Sequence, residues 1–225
     1  DDLSHALRGQ EPEAPVPVTM NGATYFADLA HGQKTGLFFD QRDNQAFVKR
    51  LAQGATVLDV FSHVGGFALA CLAGGATEAT VVDSSAQALA LAEQGAAAMD
   101  WSLTTRQGDA FDVLAALGEE GAAYDVVVCD PPAFAPGKAA LEAGLRAYER
   151  VARLSAPLVS ENGFLTLCSC SHAADLKAFT GACLRGIGRA GRRAQLIYTG
   201  QAGPDHPLLP QLAESGYLKA LVFRL

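Results

Sequence analysis

From Gln53 onward, short apolar strand-like runs alternate with helix-like segments. Residues 55–60 and 79–83 read as strands, with a helix over 67–73 between them. Residues 85–99 are rich in Ala, Leu, Glu and Gln, which favour helix. Next come a strand over 103–107, a helix over 111–117 and a buried strand over 124–129. Residues 139–155 read as helix, 163–169 as strand and 173–187 as helix. Strands over 194–199 and 217–223 close the chain with no clear helix between them. Strands that alternate with helices imply a parallel sheet with crossover helices, and two adjacent final strands imply an antiparallel edge. The pattern predicts an α/β fold over residues 53–225, a doubly wound, mostly parallel seven-stranded sheet.

A different pattern precedes it. Val16-Pro17-Val18-Thr19 and Ala23-Thr24-Tyr25-Phe26 flank Asn21-Gly22. An Asn-Gly pair between short β-prone runs signals a hairpin, and Pro17 suits an edge strand. Residues 16–52 thus read as a small N-terminal β-hairpin followed by a loop region. Residues 1–15 are polar, contain Pro12 and Pro15, and read as a linker or the remnant of an upstream domain.

Composition narrows the class. Hydrophobic residues make up 49% of the 225, which argues against a disordered chain. No apolar run reaches the roughly 20 residues that a membrane span needs. The start, Asp1-Asp2-Leu3-Ser4-His5, lacks the basic and apolar regions of a signal peptide, and it lacks Met, as a fragment or processed product would. Five cysteines, with no C-x-x-C pair, argue against a disulfide scaffold or a structural zinc site and for a reducing cytoplasm. No metal is expected. A net charge of −7 argues against broad non-specific nucleic-acid binding, while leaving room for a local basic groove or a partner domain.

In open α/β sheets, ligands lie beyond the carboxyl ends of the strands. The first strand runs into Asp59-Val60-Phe61-Ser62-His63-Val64-Gly65-Gly66-Phe67, where glycines allow close ligand approach. The spacing is not G-x-G-x-x-G, and an acidic residue at the strand end suits a cationic amine rather than a pyrophosphate. The second strand ends in Asp83, a carboxylate able to accept from ribose hydroxyls. Gly108-Asp109-Ala110 follows the third strand, where a side chain and an amide could grip adenine. Asp130-Pro131-Pro132 follows the fourth. A lone Asp after a strand also serves as a helix N-cap. The ordered set, however, fits an S-adenosylmethionine (SAM)-type nucleoside site.

At the level of motifs the chain resembles a known family. Gly32-Gln33-Lys34-Thr35-Gly36-Leu37-Phe38-Phe39-Asp40-Gln41-Arg42 is similar to the G-x-K-T-G-x-x-x-D-Q-R signature of the bacterial PUA-domain large-subunit rRNA cytosine-C5 methyltransferases, of the RlmI type. Phe61 to Phe67 resembles the family's F-S-x-x-G-G-F, Asp130 to Lys138 its D-P-P-x-F-x-x-x-K, and Ser169-Cys170-Ser171 its S-C-S. Asp205-His206-Pro207 and Tyr217-Leu218-Lys219 match its C-terminal segment. The resemblance runs from about Val16 to the end. It implies the Rossmann-like fold of class I SAM methyltransferases, SAM as cofactor, and RNA as partner, either rRNA or a ribosome assembly intermediate. The oligomeric state stays open, with a homodimer among the options. Family members carry an N-terminal PUA domain, and nothing like it fits before Val16, so either the chain is a fragment or this member has lost the domain.

The resemblance implies SAM contacts from Lys34, Arg42, Asp59, Phe61, Ser62, Gly65, Asp83, Ser84, Asp109, Ala110, Asp130 and Pro131, with the loop from Gln33 to Arg42 closing over the cofactor. Arg42 alternatively makes a plain surface salt bridge. Cytosine C5 is a poor nucleophile, and a thiolate added at C6 activates it. Cys170 fits that role, at the carboxyl end of a strand and beside the next helix; the competing reading is a buried core cysteine, as Cys168 is read. Asp130 would hold the N3/N4 edge of the base, on a loop stiffened by Pro131 and Pro132. Pro132, Phe134 and Lys138 are the substrate-side candidates. Phe134 either stacks on the base or packs in the core, and Lys138 either meets a phosphate or is solvated. His63 and His172 flank the crevice without an assigned role. Arg185, Arg189, Arg192 and Arg193 either track RNA or form a solvated face. The rival functions are a methyltransferase of another class, such as rRNA guanine N7, that makes no use of Cys170, and a non-catalytic SAM- or RNA-binding module.

Overall fold

The structure, a computed structural model, describes residues 14–29 and 36–225. β1 (Val16–Met20) and β2 (Ala23–Ala27) form the predicted hairpin. Asn21 and Gly22 take φ of 53° and 81°, the left-handed pair that a two-residue turn requires. Pro17 pairs with Phe26 in this two-stranded ribbon, where every strand is an edge. The hairpin docks on the main domain through Tyr25, which is fully buried and donates its hydroxyl to the Gly66 carbonyl at 3.1 Å.

A 3₁₀ turn, Phe39–Gln41, leads into α1 (Arg42–Lys49), a helix where the sequence pattern predicts only loop. Its buried face is made of Asn44, Gln45 and Val48, two of them amides, so hydropathy does not reveal it.

The main sheet has the expected alternation: β3 (Thr56–Val60), α2 (Gly66–Ala73), β4 (Glu78–Asp83), α3 (Ala86–Ala97), β5 (Thr104–Gln107), α4 (Ala110–Glu119), β6 (Tyr124–Cys129), α5 (Leu141–Ser155), β7 (Val159–Ser169), α6 (Leu176–Arg189), β8 (Gln195–Gly200) and β9 (Lys219–Arg224). Strand order is β5-β4-β3-β6-β7-β9-β8, parallel from β5 to β7, with β9 antiparallel to both its neighbours. This is a Rossmann-like, doubly wound sheet with an antiparallel edge. Side chains alternate between its faces. Val57, Val81 and Val126 join the core under α2 and α3, while Leu58, Val82 and Val127 join the core under α4, α5 and α6. The chain leaves β3 toward β5 and then returns to β6 on the other side, so the topological switch lies between β3 and β6, where a ligand crevice belongs.

Two boundaries differ from expectation by more than two residues. β7 begins at Val159, ahead of a register shift opposite Tyr124 and Val126. α6 starts at Leu176 because the Asp175 carboxylate accepts from Ala178 N at 2.7 Å and caps it. The arginine cluster is largely engaged within the fold. Arg185 Nε lies 3.0 Å from Glu149, Arg189 pairs with the same carboxylate, and Arg192 donates to the Ala156, Val159 and Ser160 carbonyls. These contacts fasten α5 and the turn after it to α6. Among the described residues no helix is long and apolar enough to cross a membrane.

Candidate active site

The first crevice wall is built by the turn after β3. Phe61 and His63 take positive φ of 60° and 49°, and Gly65, at 78°, caps α2. Such a conformation favours glycine, and a Cβ on Gly65 would also stand 3.1 Å from the Ala92 Cβ. Asp59 holds this turn. Its Oδ2 accepts from Phe67 N at 3.2 Å and Ala68 N at 2.9 Å, while its buried Oδ1 has no hydrogen-bond partner among the described residues. The Ser62 hydroxyl is buried and unpartnered in the same way. Burial pushes the Asp59 carboxyl up to about 7, against the pull of the two amides.

Asp83 links two turns. Its Oδ2 accepts from His63 N at 2.8 Å and its Oδ1 from Ser85 N at 2.9 Å. Each oxygen keeps a further lone pair. Asp109 caps α4, accepting from Phe111 N at 2.9 Å and Asp112 N at 3.3 Å. The N-cap reading and a place on the wall are thus both true of it.

The opposite wall carries Cys170. Its Sγ lies 4.0 Å from the Pro131 carbonyl oxygen, and it lines the same cavity of about 720 Å³ as Asp59, Asp83 and Asp130. Cys71, Cys129, Cys168 and Cys183 are buried, whereas Cys170 is partly exposed. Burial raises all four buried thiols, Cys129 to about 12, which leaves them inert. The serines flanking Cys170 are fully buried. Ser169 Oγ donates to the Tyr148 hydroxyl at 2.9 Å, Ser171 Oγ lies 2.8 Å from that hydroxyl, and Ala135 N donates to Ser171 Oγ at 2.9 Å. The chain is gripped on both sides of the cysteine, which alone of the three faces the cavity.

The structure brings Asp59, Phe61, Ser62, Asp83, Ser84, Asp109, Ala110, Asp130, Pro131, Pro132 and Cys170 to one cavity, and His63 with them. The other described candidates do not line it. Arg42 starts α1 and pairs with Asp205 at 3.5 Å, the surface-bridge alternative. Gly65 shapes the turn but stands behind the wall. Phe134 packs with Phe61, Phe111 and Tyr148, the core-packing alternative. Lys138 is exposed at a 3₁₀ turn, and His172 is exposed as well. Lys34, with Gln33 and Thr35, lies outside the described residues. Sequence reasoning missed Asp40, Gln41 and Gln45, which enter the wall from the 3₁₀ turn and α1. Asp40 accepts from the Tyr217 hydroxyl at 2.6 Å, while its buried Oδ1 has no hydrogen-bond partner among the described residues. Asp40 and Gln41 stand inside the D-Q-R motif, so that motif was the available signal.

Carboxylates at the ends of β3 and β4 and a capping Asp after β5, around a cavity at the switch point, are an arrangement that suits a nucleoside in a doubly wound fold. The orphaned Asp59 and Ser62 oxygens suit a ligand with a cationic amine, as SAM has. Residues 2–224 match the family described as S-adenosylmethionine-dependent methyltransferase, and the chain belongs to it. SAM is its cofactor. It is 36% identical over 221 residues to the ribosomal RNA large subunit methyltransferase I of Aeromonas salmonicida, and 32% identical over 228 residues to that of Shigella flexneri. Those alignments cover 97% and 100% of the chain but 56% and 58% of the relatives, so the chain spans a little over half their length. The solved structure of SMU.776 complexed with SAH is 27% identical, with a TM-score of 0.85, covering 97% of this chain and 58% of that one. A second structure, from Streptococcus mutans, is 26% identical with a TM-score of 0.84, covering 97% of this chain and 57% of that one.

Proposed function

We propose that the chain is the catalytic part of a cytoplasmic enzyme that forms 5-methylcytosine in large-subunit rRNA, with Cys170 as its nucleophile. The observation that carries this reading is the one partly exposed cysteine among five, on the wall that faces Asp59 and Asp83. The names borne by the relatives support rRNA as the substrate.

Asp59 and Ser62 would hold the amino-acid end of SAM, Asp83 and Ser84 its ribose, and Asp109 and Ala110 its adenine. When bound, SAM supplies an electrophilic methyl group. The Cys170 thiolate forms a bond to C6 of cytosine and drives an electron pair toward C5, the carbon that is methylated. A base then takes the C5 proton, the freed pair restores the C5=C6 bond, and the S–C6 bond breaks to return the thiolate. Asp130 faces the N3/N4 edge of the base, and the rigid Pro131-Pro132 pair borders its ring. The base reaches the crevice unstacked, which suits a loop or an assembly intermediate. Exposed Lys138, and the exposed Arg185 and Arg189 that share Glu149, are cations available to RNA phosphates.

The raised Asp59 carboxyl makes SAM binding pH-dependent. Below about 7 the empty site holds a proton on Asp59, and the cationic amine favours the carboxylate, so binding expels that proton. Affinity for SAM rises about tenfold between roughly pH 6 and pH 8, and Asp59→Asn flattens the profile. Calorimetry in buffers of different ionisation enthalpy reads the released proton directly; equal heats in all of them would remove Asp59 from this role.

The proposal as a whole is tested by mapping 5-methylcytosine in large-subunit rRNA from cells with and without the gene. One modified site is expected to vanish and to return on complementation. If no site is lost, the reading is wrong.

A further inference from the structure

β9 opens with Lys219, a lysine whose side chain is only 7% exposed. Its Nζ donates to the Ser171 carbonyl at 2.6 Å and to the Ala174 carbonyl at 2.8 Å. Both carbonyls belong to the turn that leaves Cys170, and Ala174 N closes that turn on Ser171 O at 3.2 Å. Taking an ammonium out of water is costly, and two neutral carbonyls do not cancel its charge. The groups able to balance it are Cys170, if ionised, and Asp175, exposed at the cap of α6. A buried cation beside a nucleophilic thiol is the arrangement that favours a thiolate.

Building on the reading of Cys170 as nucleophile, we infer that Lys219 is its positioning residue: it clamps the Ser171–Ala174 turn, and its ammonium stabilises the Cys170 thiolate. Among the described residues, two phenols and a carboxyl also bear on the thiol, and none of the three is a cation. Tyr148 from α5 and Tyr217 from the segment before β9 both lie in its field, and burial raises both phenols, so they stay neutral. Asp130 at the end of β6 shares the cavity and carries no positive charge in either protonation state. Burial lowers Lys219 to about 8, opposed by Cys170 and Asp175, so it is an ammonium at neutral pH.

The test is the pH profile of Cys170 alkylation by iodoacetamide, read by site-resolved mass spectrometry with Cys170→Ala as the blank. Lys219→Met is expected to move the midpoint upward by about one pH unit and to slow alkylation near neutral pH about tenfold. Lys219→Arg, which keeps the charge, is expected to stay within about 0.3 unit of wild type. A folded, SAM-binding Lys219→Met whose midpoint is unmoved, or whose alkylation slows equally at every pH as loss of the clamp alone predicts, overturns the inference. So does an Arg variant that shifts as far as the Met variant. If the Met variant does not fold, Lys219→Gln, which keeps a donor without the charge, takes its place with the same outcomes. Methyl transfer is scored separately. A moved midpoint in an enzyme that makes no 5-methylcytosine supports the inference and removes the proposed function; an unmoved midpoint in one that does make it has the reverse meaning.

Discussion

Cys170→Ala is expected to lower methyl transfer to cytosine at least about a thousandfold, on the order of 4 kcal/mol of transition-state stabilisation, while leaving SAM affinity within about twofold. Loss of the thiolate removes the step that makes C5 nucleophilic, and no neighbour replaces it, because Ser169 and Ser171 are buried and engaged with Tyr148 and Ala135. The fold should not notice the change. Cys170 is partly exposed, and the turn after it is held by Ser169, Ser171 and Lys219. Transfer of labelled methyl from SAM to rRNA, with calorimetry for SAM alone, separates the two effects. Transfer that persists in the variant would point to direct methylation at another base atom, as a guanine N7 enzyme performs.

Asp83→Ala is expected to weaken SAM binding about a hundredfold, close to 3 kcal/mol, from charge-assisted hydrogen bonds of about 1.5–3 kcal/mol each. Two losses combine. The carboxylate would accept from the ribose hydroxyls, and it also ties the β3–α2 turn to the β4–α3 turn through His63 N and Ser85 N. Without it both turns lose a bond beside the ligand. Asp109→Ala should cost less, because that side chain chiefly caps α4. Titration of each variant with SAM and with S-adenosylhomocysteine orders them, and an Asp83 variant that binds as well as wild type would take that residue out of the site.

The strands and their terminal carboxylates were legible because each is local: β-branched runs bury on both faces, and the switch-point rule then puts the residues at their carboxyl ends beside the crevice. The contacts of the arginines at 185, 189 and 192 were not legible, for the opposite reason. Their partners are Glu149 and the carbonyls of residues 156–160, roughly 30–40 positions away, and no spacing in the sequence announces them. Phe134 had two open readings, and only its neighbours Phe61, Phe111 and Tyr148 decide between them. α1 escaped because a helix that buries amides gives no apolar stripe; Asn44 spends its side chain on Gln41 and on the Gln201 carbonyl, and Tyr198 reaches it from β8.

The Tyr217–Asp40 bond joins positions 177 apart, and Lys219, two residues after Tyr217, fixes the Cys170 turn. A nascent chain emerging from the exit tunnel can therefore assemble β3 to β6 early, but it lacks a finished pocket until β9 is out and docked. The pocket is completed in one step when β9 docks, and a product cut short before β9 would keep most of its sheet without the lysine that holds the Cys170 turn.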